Sequence, residues 1–436
     1  VSPEILGLLI VAVTVTLLLM GMPVAFVLGG VALAFLVIFA GSGSLLMVAE
    51  SLFGYLDNFA LLAIPMFILM GATVAASRAG SDLYEAADRW VGRVPGGLVV
   101  SSLGACAVFS ALSGSSPATC AAIGKMGIPE MRRRGYSDSL ATGAIAAGGT
   151  LGILIPPSIT LILYGIATET SIGRLFLAGI VPGLMLVGLF MAWSLIAARW
   201  QGGPAAAALP RFGWHDRFAV LPKVVPFLAV VVGVLYVLYG GVATPSEAAA
   251  VGALLCLVLA ALVYRMWRPK DLWEVLRTST REAVMILLII ATAELFGFML
   301  SRLYVTQSLA QGIVGMNADP WVLMACINLF LLVLGFFIPP AAVILMTAPI
   351  LLPIIIGAGF DPIWFAVVMT INMEIGLITP PVGLNLYVIN TIAPEVRLQT
   401  ILAGALPFML CMVLGIVLLC LFPGLATWLP TYVMGP

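Results

Sequence analysis

Two pairs of adjacent prolines, Pro156-Pro157 in "LGILIPPSIT" and Pro380-Pro381 in "IGLITPPVGL", interrupt apolar segments that otherwise have the composition of membrane helix. Proline inside a helix removes a backbone hydrogen bond and clashes with the preceding turn, at a cost of about 3 kcal/mol. Such a break frees carbonyls at the end of one half-helix and N–H groups at the start of the next. Freed carbonyls can ligate a hard cation, and a half-helix N-terminus favours an anion. In the first copy, carbonyls near Gly152, Ile155 and Pro157 are expected to face the hydroxyls of Ser110 and Ser113. In the second, those near Gly376, Thr379 and Pro381 are expected to face the backbone around Gly335, with the Thr379 hydroxyl added. Neutral oxygens on glycine-kinked backbone suit sodium. A single pair could merely kink a packed helix; duplication favours paired ion sites.

Between the two sets lie Ser115, Ser116, Pro340 and Asn385, whose hydroxyls, amide or exposed backbone make them the candidate solute contacts. Asn385 sits inside an apolar helix, where an unpaired amide is costly, so a helix-packing hydrogen bond is its competing role. Glu294 and Glu374 are the most intramembrane acids, and such acids are functional candidates by default. Glu374 has Thr150 as its counterpart, so no acid is duplicated with the prolines and a structural role is expected. Glu247, in "ATPSEAAAVGA", is expected to cap a helix start.

The elements that must position these residues are set by composition. Of 436 residues, 62% are hydrophobic and 9% charged, and the mean hydropathy is +1.19. A soluble globule carries about 25% charged residues. The chain therefore reads as an all-α polytopic membrane protein embedded in a lipid bilayer. Its zero net charge gives no argument for nucleic acid. One histidine and six scattered cysteines make a zinc or haem site implausible. No histidine accompanies Ser113 or Ser115 in the membrane, which argues against an enzyme. The expected spans are 4–22, 23–41, 59–78, 137–166, 172–198, 218–239, 244–264, 283–301, 362–390 and 398–422. The first reads as a span, with no basic leader before it. Segments 97–131 and 319–357 break midway, at "SALSGSSPAT" and "GFFIPPAAV", and read as re-entrant hairpins. "SDLYEAADRWVGRV", with Leu83, Ala87, Trp90 and Val94 on one stripe, and "KDLWEVLRTSTREA" read as amphipathic interfacial helices.

An offset of 224 residues places Pro156-Pro157 on Pro380-Pro381, Gly152 on Gly376, Pro129 on Pro353 and Ser77-Arg78 on Ser301-Arg302. The chain thus divides into N-terminal scaffold helices (1–58), a first repeat (59–198), a linker with scaffold helices and an amphipathic arm (199–282), a second repeat (283–422) and a C-terminal tail (423–436). Three crossings and then two more separate the repeat starts, and an odd number inverts them. Inverted repeats with broken helices are a secondary-transporter architecture. With this topology all the lysines and arginines but Arg174, Arg302 and Lys125 fall on one side, among them Arg89, Arg93, Arg132, Arg133 and Arg134. That side is cytoplasmic by the positive-inside rule, which puts both termini outside. A channel would need a continuous polar pore, which inverted broken repeats do not supply.

"ALSGSSPATCAAIG", "GIPEMRRRGY", "GGTLGILIPPSI", "ATPSEAAAVGA" and "NMEIGLITPPVGLNLYV" together resemble the large membrane (M) subunit of tripartite ATP-independent periplasmic (TRAP) transporters, nearly end to end. The resemblance implies import of organic acid anions, carboxylates or sulfonates, across the bacterial inner membrane, driven by two or more sodium ions through an elevator movement. It implies two partners, a small membrane subunit (Q type) and a periplasmic binding protein, and no organic cofactor. The family's sodium sites fall on the hairpin-tip and Pro-Pro positions named above. Proton coupling through Glu374 or Glu294 is the alternative.

Overall fold

The computed structural model describes residues 2–41, 43–91, 96–200, 212–308 and 319–435, which contain helices and no strand. Arg93 and Val94 lie outside the described residues. The first half comprises α1 (Pro3–Leu19), α2 (Val24–Phe35), α3 (Ser44–Leu56), α4 (Ala63–Ala76), α5 (Ala79–Val91), α6 (Gly97–Ser113), α7 (Ser116–Arg133), α8 (Asp138–Thr150), α9 (Ile159–Ala167) and α10 (Ile172–Trp200). A short α11 (Trp214–Ala219) leads into α12 (Leu221–Tyr239), α13 (Pro245–Tyr264), α14 (Pro269–Arg302), α15 (Pro320–Gly335), α16 (Pro340–Gly357), α17 (Pro362–Leu377), α18 (Leu384–Ile392), α19 (Leu398–Leu421) and α20 (Gly424–Met434). Seven described helices are long and apolar enough to cross a membrane.

Helix starts follow local chemistry. Ser137 accepts from the Leu140 N–H to open α8, and Ser158 accepts from Leu161 to open α9. Asp361 accepts from Ile363 and Trp364 at the head of α17. Thr244 and Glu247 form a reciprocal capping box at α13, the role expected of Glu247.

The two segments read as hairpins are the pairs α6–α7 and α15–α16, and both Pro-Pro spans are interrupted, as α8–α9 and α17–α18. The packing follows the 224-residue offset: α4 lies on α13 as α14 lies on α2, α7 on α18 as α16 on α9, and α6 on α8 as α15 on α17. At the centre, every residue of α8 from Leu140 and of α17 from Trp364 is buried. Small residues allow the closest crossings. A methyl group on Gly143 would stand 2.2 Å from the Gly404 backbone, so α8 and α19 touch main chain to main chain.

Four elements differ from expectation. Residues 44–56, given no span, form α3. The "KDLWEVLRTSTREA" arm is no separate interfacial helix: it is the first half of the single 34-residue helix α14, because nothing between Pro269 and Arg302 breaks helical geometry. The linker contains α11. The tail is α20, held to α10 where Arg174 Nη2 donates to the Gly435 carbonyl at 3.1 Å.

Candidate functional site

Both Pro-Pro peptide bonds are cis, and each break meets the tip of the hairpin in its own half. At the first, Gly114 ends α6 in the left-handed conformation, φ +59°, which favours glycine. A methyl group there would come 2.8 Å from the Pro157 carbonyl oxygen. Gly152 lies against the other side of the tip, where a methyl group would stand 2.7 Å from the Ser115 carbonyl oxygen. At the second break, a methyl group on Gly376 would stand 2.3 Å from the Gly335 carbonyl oxygen. The Val382 N–H also donates to the Phe336 carbonyl at 3.3 Å. Glycine is needed at 152 and 376 because tip main chain occupies the space of a side chain.

The expected oxygens are placed unequally. Ser110 Oγ is fully buried in α6 and has no hydrogen-bond partner among the described residues. Ser113 Oγ is engaged within the tip, 2.9 Å from Thr119 Oγ1 and 3.3 Å from the Ser115 carbonyl. The Ile155 N–H bonds back to Leu151, and its side chain packs on Gly183. Thr379 Oγ1, in the break just past the end of α17, donates to the Ile375 carbonyl in the last turn of that helix at 2.6 Å. Pro381 is exposed.

Among the candidate solute contacts, Ser115 lines a cavity of about 600 Å³ together with Ser113, Ala118, Ile159, Ser77, Arg78, Glu274 and Glu282. Ser115 precedes α7 without capping it through its side chain, and Pro339 precedes α16 in the same way. Pro340 is half-buried. Ser116 and Asn385 are both fully buried and bonded to each other. Asn385 Nδ2 donates to Ser116 Oγ at 2.8 Å and to the Ala146 carbonyl at 3.0 Å, and Ser116 Oγ donates to Asn385 Oδ1 at 3.1 Å. The helix-packing role of Asn385 is thus present in this conformation.

Glu374 is fully buried in α17, and neither carboxyl oxygen has a partner among the described residues. Glu294 lines a separate cavity of about 470 Å³ with Tyr55, Ser301, Pro349 and Pro353. No cluster of three metal-ligating side chains occurs among the described residues.

The small-residue face of α4 escaped the sequence reading. Gly71, Ala72, Ala75 and Ala76 line the 600 Å³ cavity, and a methyl group on Gly71 would stand 2.3 Å from the Ser113 carbonyl oxygen. The small-xxx-small spacing of 71 and 75 was the available signal.

Residues 11–425 match the family model for the tripartite ATP-independent periplasmic transporter, DctM component. The chain is 40% identical over 384 residues to the C4-dicarboxylate TRAP transporter large permease protein DctM of Pseudomonas aeruginosa, covering 88% of this chain and 89% of that one. It is 36% identical to the isethionate TRAP transporter permease protein DctMQ of Oleidesulfovibrio alaskensis, over 86% of this chain and 59% of the relative. Its fold is like that of the Alcanivorax borkumensis YdaH transporter, with a TM-score of 0.64 over 99% of both chains at 18% identity.

Proposed function

Because the chain belongs to the DctM family of large TRAP-transporter permeases, we propose that it carries organic acid anions across the bacterial inner membrane by sodium-coupled elevator transport. It is a multi-pass permease subunit and not an enzyme. The reading rests most on one observation: a cavity large enough for a small carboxylate or sulfonate is lined by Ser113 and Ser115 of the α6–α7 tip and by Ile159 at the start of α9, beside the first break. Relatives named for a C4-dicarboxylate and for isethionate place carboxylates and sulfonates within the family's range.

In this reading the anion meets Ser115, the Ser116 N–H and the opposing Pro340 tip, while Asn385 supports them from behind. Sodium would rest on the Gly152, Ile155 and Pro157 carbonyls with Ser110 and Ser113, and on the Gly335, Gly376, Thr379 and Pro381 region. The orphaned Ser110 hydroxyl and the Pro157 carbonyl beside Gly114 support the first set. The ion compensates the charge of the anion and supplies the gradient that drives uptake. The halves are inverted repeats, supported by matched packing at the 224-residue offset, and both termini are periplasmic. The partners are the small membrane subunit and a periplasmic binding protein that delivers the anion; in the O. alaskensis relative, the name DctMQ joins two components in one permease.

The test is uptake into proteoliposomes containing this chain with its membrane partner and binding protein. Uptake is expected to require a sodium gradient and to rise with more than first-order dependence on sodium. Full uptake without sodium, driven by a pH gradient alone, overturns the coupling and turns attention to Glu374 and Glu294.

A further inference from the structure

The two hairpin tips correspond at the 224-residue offset but differ in sequence and in how they are held. Tip one is enclosed: Ser113 is 3% exposed, and the first break is buried from Leu151 to Ser158 apart from a half-buried Ile155. Its main chain lies in close contact with two elements, α4 and the first break, with the Ser113 carbonyl on Gly71, the Gly114 turn on the Pro157 carbonyl and the Ser115 carbonyl on Gly152. A polar bridge closes it. Asn385, from the second half of the chain, spans Ser116 at the start of α7 and the Ala146 carbonyl in α8 with three hydrogen bonds. Tip two has no such bridge. The 224-residue offset carries Ser116 to Pro340 and Asn385 to Leu161, neither of which has a side-chain hydrogen-bonding group. Phe337 is 45% exposed, Val382 is 41% exposed, and Pro339, Pro380 and Pro381 are exposed as well. Among the described residues the main chain of tip two is held to the second break by the Gly335 carbonyl on Gly376 and by one backbone hydrogen bond, Val382 to Phe336.

We propose that Ser116 and Asn385 are positioning residues that latch hairpin one shut, leaving hairpin two as the gate through which the ion and solute sites open. A buried amide with its donors satisfied fixes a unique arrangement, because any displacement leaves polar groups unpaired in an apolar surround. The apolar contact of α9 with α16 carries no such penalty for sliding, so the freer tip is the one that opens. The latch also ties hairpin one to the second broken helix, so that elements of both halves move as one body. The gate assignment rests on the transport reading; the difference in tip stability does not.

Hydrogen exchange read by mass spectrometry, on the chain assembled with its membrane partner in lipid nanodiscs, separates the two. Amides of 336–342 and 379–384 are expected to exchange faster than those of 113–119 and 152–158. Sodium in place of potassium should slow exchange more at tip two than at tip one. In Asn385→Ala, and independently in Ser116→Ala, exchange over 113–119 should rise about tenfold, the factor expected for loss of one buried hydrogen bond, with α17 unchanged. A disulfide between Phe336→Cys and Val382→Cys should stop uptake until reduced. Equal exchange at the two tips, no change at tip one in either variant, or uptake through the cross-linked gate overturns the proposal. An unequal pair of tips with no response to sodium keeps the latch and removes the sodium reading.

Discussion

At the scale of single residues, Ser110 separates packing from ligation most cleanly. Its hydroxyl is buried and unpartnered, so removing it leaves no orphaned group and relieves one. Ser110→Ala is expected to hold or slightly raise thermal stability while weakening sodium activation of uptake, by about 1–3 kcal/mol for loss of a buried oxygen ligand. Thermal unfolding and the sodium dependence of uptake, measured side by side, check both halves of the expectation. Lost stability with unchanged sodium activation would mean that the serine only fills space. Ser113 is less informative, since its hydroxyl is shared with Thr119 and Ser115.

At the scale of elements, α4 offers a smooth face to the first hairpin. Gly71 meets the Ser113 carbonyl, and Ala72, Ala75 and Ala76 continue the face along the cavity. A face without side-chain knobs lets a packed element slide past it. Gly71→Leu is expected to reduce uptake to background, because its side chain would occupy the place of the tip main chain. Ala76→Ser, a small change on an exposed position of the same helix, should leave uptake near normal. Uptake by membranes with matched protein levels makes the comparison, and normal transport by Gly71→Leu would show that transport does not depend on the contact of hairpin one with α4.

At the scale of the whole molecule, the proposed inversion of the halves predicts that the two tips answer to opposite sides of the membrane. Ser115 and Arg78 line the same cavity, and the proposed topology puts Arg78 on the cytoplasmic side. Pro339 is exposed at the other tip. In a background lacking the six native cysteines, Ser115→Cys is expected to react with a membrane-impermeant thiol reagent from the cytoplasmic side, and Pro339→Cys from the periplasmic side. Conditions that favour one state should protect one position as they expose the other. Reaction of both from a single side in every condition would contradict the inverted topology.

The sequence by itself determined the class, the breaks and the pairing of halves. Apolar length sets spans, proline sets interruptions, and a fixed offset between identical short motifs needs no coordinates to be seen. It also located both tips, because glycine and proline act on the backbone where they stand. What only the tertiary structure decided is which side chain meets which. The bond between Asn385 and Ser116 joins residues 269 positions apart, and no local spacing distinguishes it from a ligand contact. The same holds for Gly71 beneath Ser113 and for the orphaned oxygens of Ser110 and Glu374. A buried polar atom is defined by what surrounds it, and in a bundle those surroundings come from helices remote in sequence. Even the unequal enclosure of two corresponding tips follows in part from that. The repeats share their local instructions, while their neighbours differ.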